Sequence, residues 1–106
     1  FSQGCAMALL TGLRHTERLA GIVGLSGYLP LAATTAAERS AANAQTPVFL
    51  AHGSEDAVVV PARADATREA LQALGQPVEW HSYRMGHSVC PQEIEDLGRF
   101  LVRVLG

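Results

Sequence analysis

Pro47-Val48-Phe49-Leu50-Ala51-His52-Gly53-Ser54-Glu55-Asp56, followed by Val59-Val60-Pro61, is the stretch whose reading decides the fold of this chain. Val48 to Ala51 is an unbroken apolar run that stops at His52-Gly53, the pattern of a strand buried on both faces. Pro61 suits the first position of a helix, where its fixed φ fits and its lack of an N–H costs nothing. That helix should run to about Leu74, with Gly75 as its left-handed stop. The unit is strand, carboxylate-bearing loop, helix.

Reading outward, the same alternation continues in both directions. Downstream, Val78, Trp80 and Ser82 face one way and Glu79, His81 and Tyr83 the other, which predicts a strand near the sheet edge. Arg84 to Cys90 reads as a loop. A last helix begins at Pro91, with Ile94, Leu97, Leu101 and Val104 as its apolar stripe. Its acids Glu93, Glu95 and Asp96 come early and Arg99 and Arg103 late, which suits the helix dipole. Upstream, Ala6, Leu9, Leu10 and Leu13 recur at helical spacing. Gly21 to Leu25 predicts a second buried strand. The Ala-, Thr- and Ser-rich segment from Pro30 to Gln45 predicts a short helix around Ala36–Ala42. Strands alternating with crossover helices make an α/β chain with a mostly parallel sheet and helices on both faces.

Composition narrows the function classes. The chain has 106 residues, 48% hydrophobic and 17% charged, room for one small domain. Its eight basic residues are all Arg, and they form no cluster in a chain of formal net charge −2. Nucleic acid is therefore not an expected partner, because phosphate binding needs concentrated positive charge. No apolar run approaches the roughly 20 residues needed to span a bilayer. No secretory leader is visible, and a cytoplasmic location is the expectation. Cys5 and Cys90 make neither a disulfide framework nor a zinc site, and no metal site is expected.

The chemistry lies in three short segments. Phe1-Ser2-Gln3-Gly4 matches the last four positions of Gly-x-Ser-x-Gly, a sharp strand-to-helix turn that lifts a serine hydroxyl clear of a sheet. The backbone N–H of Gln3 would then face the oxygen that becomes negative during acyl transfer, helped by the N-terminus of the helix. The alternative is that Ser2 merely caps that helix. Asp56 lies in the loop after the central strand, at the sheet edge where α/β proteins hold their sites. Tyr83-Arg84-Met85-Gly86-His87-Ser88 places an imidazole after the next strand. Glu55 is the rival acid, but Asp56 is preferred. Among the other histidines, His15 should be solvated, His81 should point away from the loop edge, and His52 should be a structural residue satisfied by nearby backbone. Nucleophile, acid, base is the chain order of an α/β-hydrolase.

Taken together, Phe-Ser-Gln-Gly, His-Gly-Ser-x-Asp with a following Val-Pro, and Tyr-x-Met-Gly-His with a downstream Glu resemble the phospholipase/carboxylesterase family, which includes bacterial carboxylesterases and acyl-protein thioesterases. The resemblance covers nearly the whole chain. It implies an α/β-hydrolase fold, no cofactor, and Ser2, Asp56 and His87 as nucleophile, acid and base. It puts Leu25 and the segment Ser26–Pro30 near the acyl pocket, with Val59 and Met85 as further substrate-binding candidates. The activity implied is hydrolysis of short- to medium-chain carboxylic esters, with acyl-protein thioesterase or lysophospholipase as the alternative. A catalytically silent binding module is the non-enzyme reading. Dienelactone hydrolases differ in having Cys where Ser2 stands.

The family's usual Gly is Cys5 here, small enough to keep the helix near its strand. Its His-Gly-x-Gly oxyanion loop does not occur in these residues. The expectation is thus that residues 1–106 form the C-terminal half of one domain. An N-terminal segment would complete the sheet and supply the second oxyanion donor. The partners expected are an ester or thioester substrate and that N-terminal segment, with a homodimer as the candidate assembly.

Overall fold

The chain is described over residues 1–106 by a computed structural model. Its elements are α1 (Gln3–Arg14), β1 (Ile22–Leu25), α2 (Ala32–Glu38), a 3-10 turn (Ala41–Asn43), β2 (Val48–Gly53), α3 (Pro61–Ala73), β3 (Val78–Tyr83) and α4 (Pro91–Leu105). The three strands form one parallel sheet in the order β1-β2-β3. Val48 is paired with Ile22 on one side and Val78 on the other, so the strands end at one common edge.

The apolar run of β2 is explained by its central place, since all six of its residues are buried. Alternate side chains serve different layers. Val48 and Leu50 join Leu9, Leu13, Ile22 and Leu71 in a core beneath α1 and α3. Phe49 and Ala51 join Tyr83 and Phe100 in a second core beneath α4. Phe49 and Phe100 are fully buried with ring centroids 5.4 Å apart. Burying such a ring contributes about 1.5–3 kcal/mol. Helices cover both faces of the sheet, α1 and α3 on one and α4 on the other.

Three local expectations are corrected. The strand β2 does not stop at His52-Gly53 but includes both, because its ladder to β3 continues through His52–Ser82 and Gly53–Tyr83. The short helix lies at Ala32–Glu38 rather than around Ala36–Ala42. Arg39 and Ser40 are extended, which ends that helix and delivers Asn43 to a buried position. There Asn43 binds the carbonyls of His15 and Glu17 and the N–H of Leu19, ties that helical periodicity cannot foresee. On α4, Leu97 and Val104 pack inward as expected, but Ile94 and Leu101 are exposed. The buried face turns instead toward Phe100, Glu93 and Asp96. Asp96 accepts a hydrogen bond from the buried Tyr83 hydroxyl at 2.6 Å, which draws an acidic position inward.

The rest follows the sequence closely. β3 begins and ends as its alternation predicts, and α3 starts at Pro61 and stops before Gly75, whose φ of 77° only glycine adopts freely. No helix is long and apolar enough to cross a membrane.

Candidate active site

Three loops leave the common edge of the sheet, and the site is built from their tethers. Ser2 precedes α1 in a strained conformation, φ 55° and ψ −118°, that a non-glycine residue adopts only when its surroundings enforce it. Its N–H donates to the Leu25 carbonyl at 2.8 Å, which ties the turn to the end of β1. Ser2 makes no side-chain cap of α1, so the capping alternative does not hold. Gln3 is the first residue of α1, and its N–H has no intrahelical acceptor. That leaves it free at the positive end of the helix.

Gly27 lets this turn and Cys5 come close to the end of β1. A Cβ placed on Gly27 would lie 2.6 Å from the Ser2 carbonyl oxygen and 2.7 Å from Cys5 Sγ. Burial pushes the Cys5 thiol up to about 11, which keeps it protonated and unreactive beside the serine.

Asp56 is buried in the loop after β2. Its Oδ1 accepts the N–H groups of Val58 and Val59 at 2.8 and 2.9 Å. Its Oδ2 lies 2.8 Å from Nδ1 of His87. Burial pushes this carboxyl up, but the hydrogen bonds from His87, Val59 and Val58 outweigh it and hold Asp56 below its ordinary value. A carboxylate can only accept, so Nδ1 of His87 carries the proton. Nε2 is thereby left as an acceptor, and it lies 3.0 Å from Ser2 Oγ. The Phe1 ring stands against the imidazole at 4.9 Å.

The structure therefore brings Ser2, Asp56 and His87 into one hydrogen-bonded chain. The other histidines go elsewhere. His15 is exposed after α1. His81 sits on β3 between Glu79 and Asp96, away from this edge. His52 is buried, and its partner is indeed backbone, the Val59 carbonyl at 2.7 Å. Glu55 is exposed and pairs with Arg84.

Val59 is buried beside Asp56. Leu25 ends β1 and Met85 lies in the His87 loop, both half-buried against the Phe49 core. A small cavity beneath the site is lined by Cys5, Gly27 and His52, and a surface concavity lies between Tyr28 and Arg63, whose guanidinium stacks 3.6 Å from the Tyr28 ring.

Two contacts that join the loops were not identified from the sequence. Ser26 adopts φ 57° at the end of β1, and its hydroxyl donates to the Ser88 carbonyl at 3.4 Å, joining β1 to the His87 loop. From the sequence Ser26 is the end of an apolar run and, by resemblance, the start of a segment near the acyl pocket, and neither reading carries a signal for this tie. Gly53 lies under Gly86, a close approach for which His-Gly after a strand was the one available hint.

This topology, with a serine, an acid and a histidine in that order at one sheet edge, is that of an α/β-hydrolase. The family model of the phospholipase/carboxylesterase family matches residues 1–105, and the chain belongs to that family. It is 45% identical to acyl-protein thioesterase 1 of Gibberella zeae, over 99% of this chain and 46% of that protein. Among solved structures it is similar to SOBER1 of Arabidopsis thaliana, with a TM-score of 0.94, 27% identity and coverage of 100% of this chain and 51% of that one. It is also similar to acyl-protein thioesterase 2 of Zea mays, with a TM-score of 0.90, 33% identity and coverage of 100% and 54%. The chain thus spans about half the length of the relatives it matches.

Proposed function

We propose that this chain is the triad-bearing half of a serine hydrolase that cleaves carboxylic esters through an acyl-enzyme. The observation that carries the reading is the relay itself: His87 stands 3.0 Å from Ser2 Oγ and 2.8 Å from Asp56 Oδ2. Nε2 of His87 takes the Ser2 proton as Oγ attacks the ester carbonyl, then returns it to the leaving group. Water repeats the sequence and frees the acid. Asp56 fixes the tautomer and stabilises the imidazolium. Such general-base action is worth roughly 10²–10⁴ in rate.

The Gln3 N–H donates to the developing oxyanion. Each such donor is worth about 3–4 kcal/mol. Leu25, Val59 and Met85 border the acyl group. The second oxyanion donor comes from a segment outside residues 1–106 that pairs with β1 and completes the sheet.

A thioester substrate is the second reading, favoured by the names of relatives such as acyl-protein thioesterase 1 of Gibberella zeae at 45% identity. A fluorophosphonate tests the common step: it should label Ser2 in the full-length protein and fail to label the Ser2→Ala variant. Labelling elsewhere would sink the reading. Comparing kcat/KM on a short nitrophenyl ester and a palmitoyl thioester then separates the two substrates.

A further inference from the structure

We propose that His52 is a positioning residue for acyl transfer at Ser2: from the central strand it holds the loop that aims the Asp56 carboxylate at His87. The inference rests on the triad reading above and goes beyond it, since His52 touches no reacting atom.

His52 is 2% exposed, and a buried imidazole must place its ring N–H on an acceptor or bear the cost of leaving it unpaired. Nε2 lies 2.7 Å from the Val59 carbonyl, which can only accept, so Nε2 carries the proton. Val59 is then held at both ends. Its carbonyl is taken by His52, and its N–H is taken by Asp56 Oδ1 at 2.9 Å.

Backbone ties to the next loop hold the start of this segment, Ser54 N–H on the Tyr83 carbonyl and Glu55 N–H on the Met85 carbonyl, but they end at Glu55, and Val59 beyond Asp56 depends on His52. Ser54, Glu55, Ala57, Val58 and Val60 are all exposed, and only Asp56 and Val59 turn inward. β2 runs directly into this loop, and His52 is the β2 side chain whose hydrogen bond reaches across it to Val59. The same Nε2 lies 3.5 Å from Asp56 Oδ2, the oxygen that faces His87. It presents a positive N–H dipole to the carboxylate without displacing His87, whose approach at 2.8 Å is much closer.

What His52 contributes is therefore geometric first. A displacement of about 1 Å in such a constellation costs on the order of 10²-fold in rate. Losing the Val59 tie frees Asp56 to move by that much while leaving Ser2, Gln3, Leu25 and Met85 in place. The signature is a fall in kcat that far exceeds any change in KM.

Two amide substitutions test this in the full-length protein, because they differ mainly in reach. His52→Gln places an N–H near the Nε2 position and can still reach Val59. His52→Asn places it near Nδ1 and cannot. Titration with a fluorophosphonate first counts the sites that label at Ser2, which checks the triad reading independently of His52 and normalises rates to functional molecules. Per labelled site, His52→Asn should lower kcat on a nitrophenyl ester by roughly 10- to 100-fold with KM within about twofold, and should displace the acid limb of the kcat/KM profile. His52→Gln should keep kcat within about fivefold of the parent and keep its pH profile. Equal rates and profiles in the two variants would overturn the inference, as would a His52→Asn protein that melts earlier yet turns over normally. Absence of labelling in the parent would instead overturn the triad reading.

Discussion

Gly53 and Gly86 are in contact across the two loops that carry Asp56 and His87: a Cβ on Gly53 would lie 2.3 Å from the Gly86 carbonyl oxygen. Around this contact the loops are sewn together by backbone. Ser54 N–H donates to the Tyr83 carbonyl at 2.8 Å and Glu55 N–H to the Met85 carbonyl at 2.9 Å. The acid and the base are thus set relative to one another before their side chains meet. Gly53→Ala should push the His87 loop outward and lower kcat by on the order of 10²-fold. Steady-state kinetics beside a thermal melt checks this, and a Gly53→Ala protein with parental kcat would refute it.

Asp56→Asn keeps the shape but leaves the imidazole in the wrong tautomer, which predicts a fall of about 10⁴ in kcat. A pH signature accompanies it. The folded Asp56 carboxyl lies below its unfolded value, so its contribution to stability is present above about pH 4 and is lost as the pH falls through the folded value. Melting temperatures recorded from neutral pH into the acid range should fall more steeply for the parent than for Asp56→Asn. Parallel curves would contradict it.

Cys5 is buried with its thiol raised to about 11, whereas Cys90 is half-buried at the start of α4. Alkylation by iodoacetamide near pH 8 should modify Cys90 first and leave Cys5 protected until the protein unfolds. Peptide mapping by mass spectrometry reads the order, and early modification of Cys5 would refute it.

Phe100 anchors α4 through its contact with Phe49 and is fully buried. Phe100→Ala should cost about 3–5 kcal/mol in unfolding free energy, because the cavity under a single covering helix has no neighbour to fill it. Denaturant titration measures it; a loss below about 1 kcal/mol would mean that α4 repacks freely.

β1 has a hydrogen-bonding edge opposite β2, occupied at its end by the Ser2 N–H on Leu25. If a further segment pairs there, residues 1–106 expressed alone should be unstable or aggregate, and nearly inactive. A cooperative unfolding transition for residues 1–106 alone would refute this.

Much of this protein could be read from local signals. The buried run Val48–Ala51, the alternation from Val78 to Tyr83, and the Pro61 and Gly75 boundaries each follow from constraints within a few residues. The order of Ser2, Asp56 and His87, set against alternating strands and helices, was enough to expect all three at one edge. A parallel sheet puts every strand-to-helix loop on the same side, so topology alone does that much.

The tertiary structure decided what short-range pattern cannot carry. Asn43 ended the second helix early because its partners lie before β1, and α4 turned Asp96 inward because the Tyr83 hydroxyl faces it. Whether His87 reaches Ser2 depends on Gly53 admitting Gly86 and on Ser26 binding Ser88, contacts between residues distant in sequence. The chain by itself fixed which groups stand at the rim, since that depends on strand direction; only packing fixed the ångströms between them, since those depend on atoms that the sequence brings from different loops.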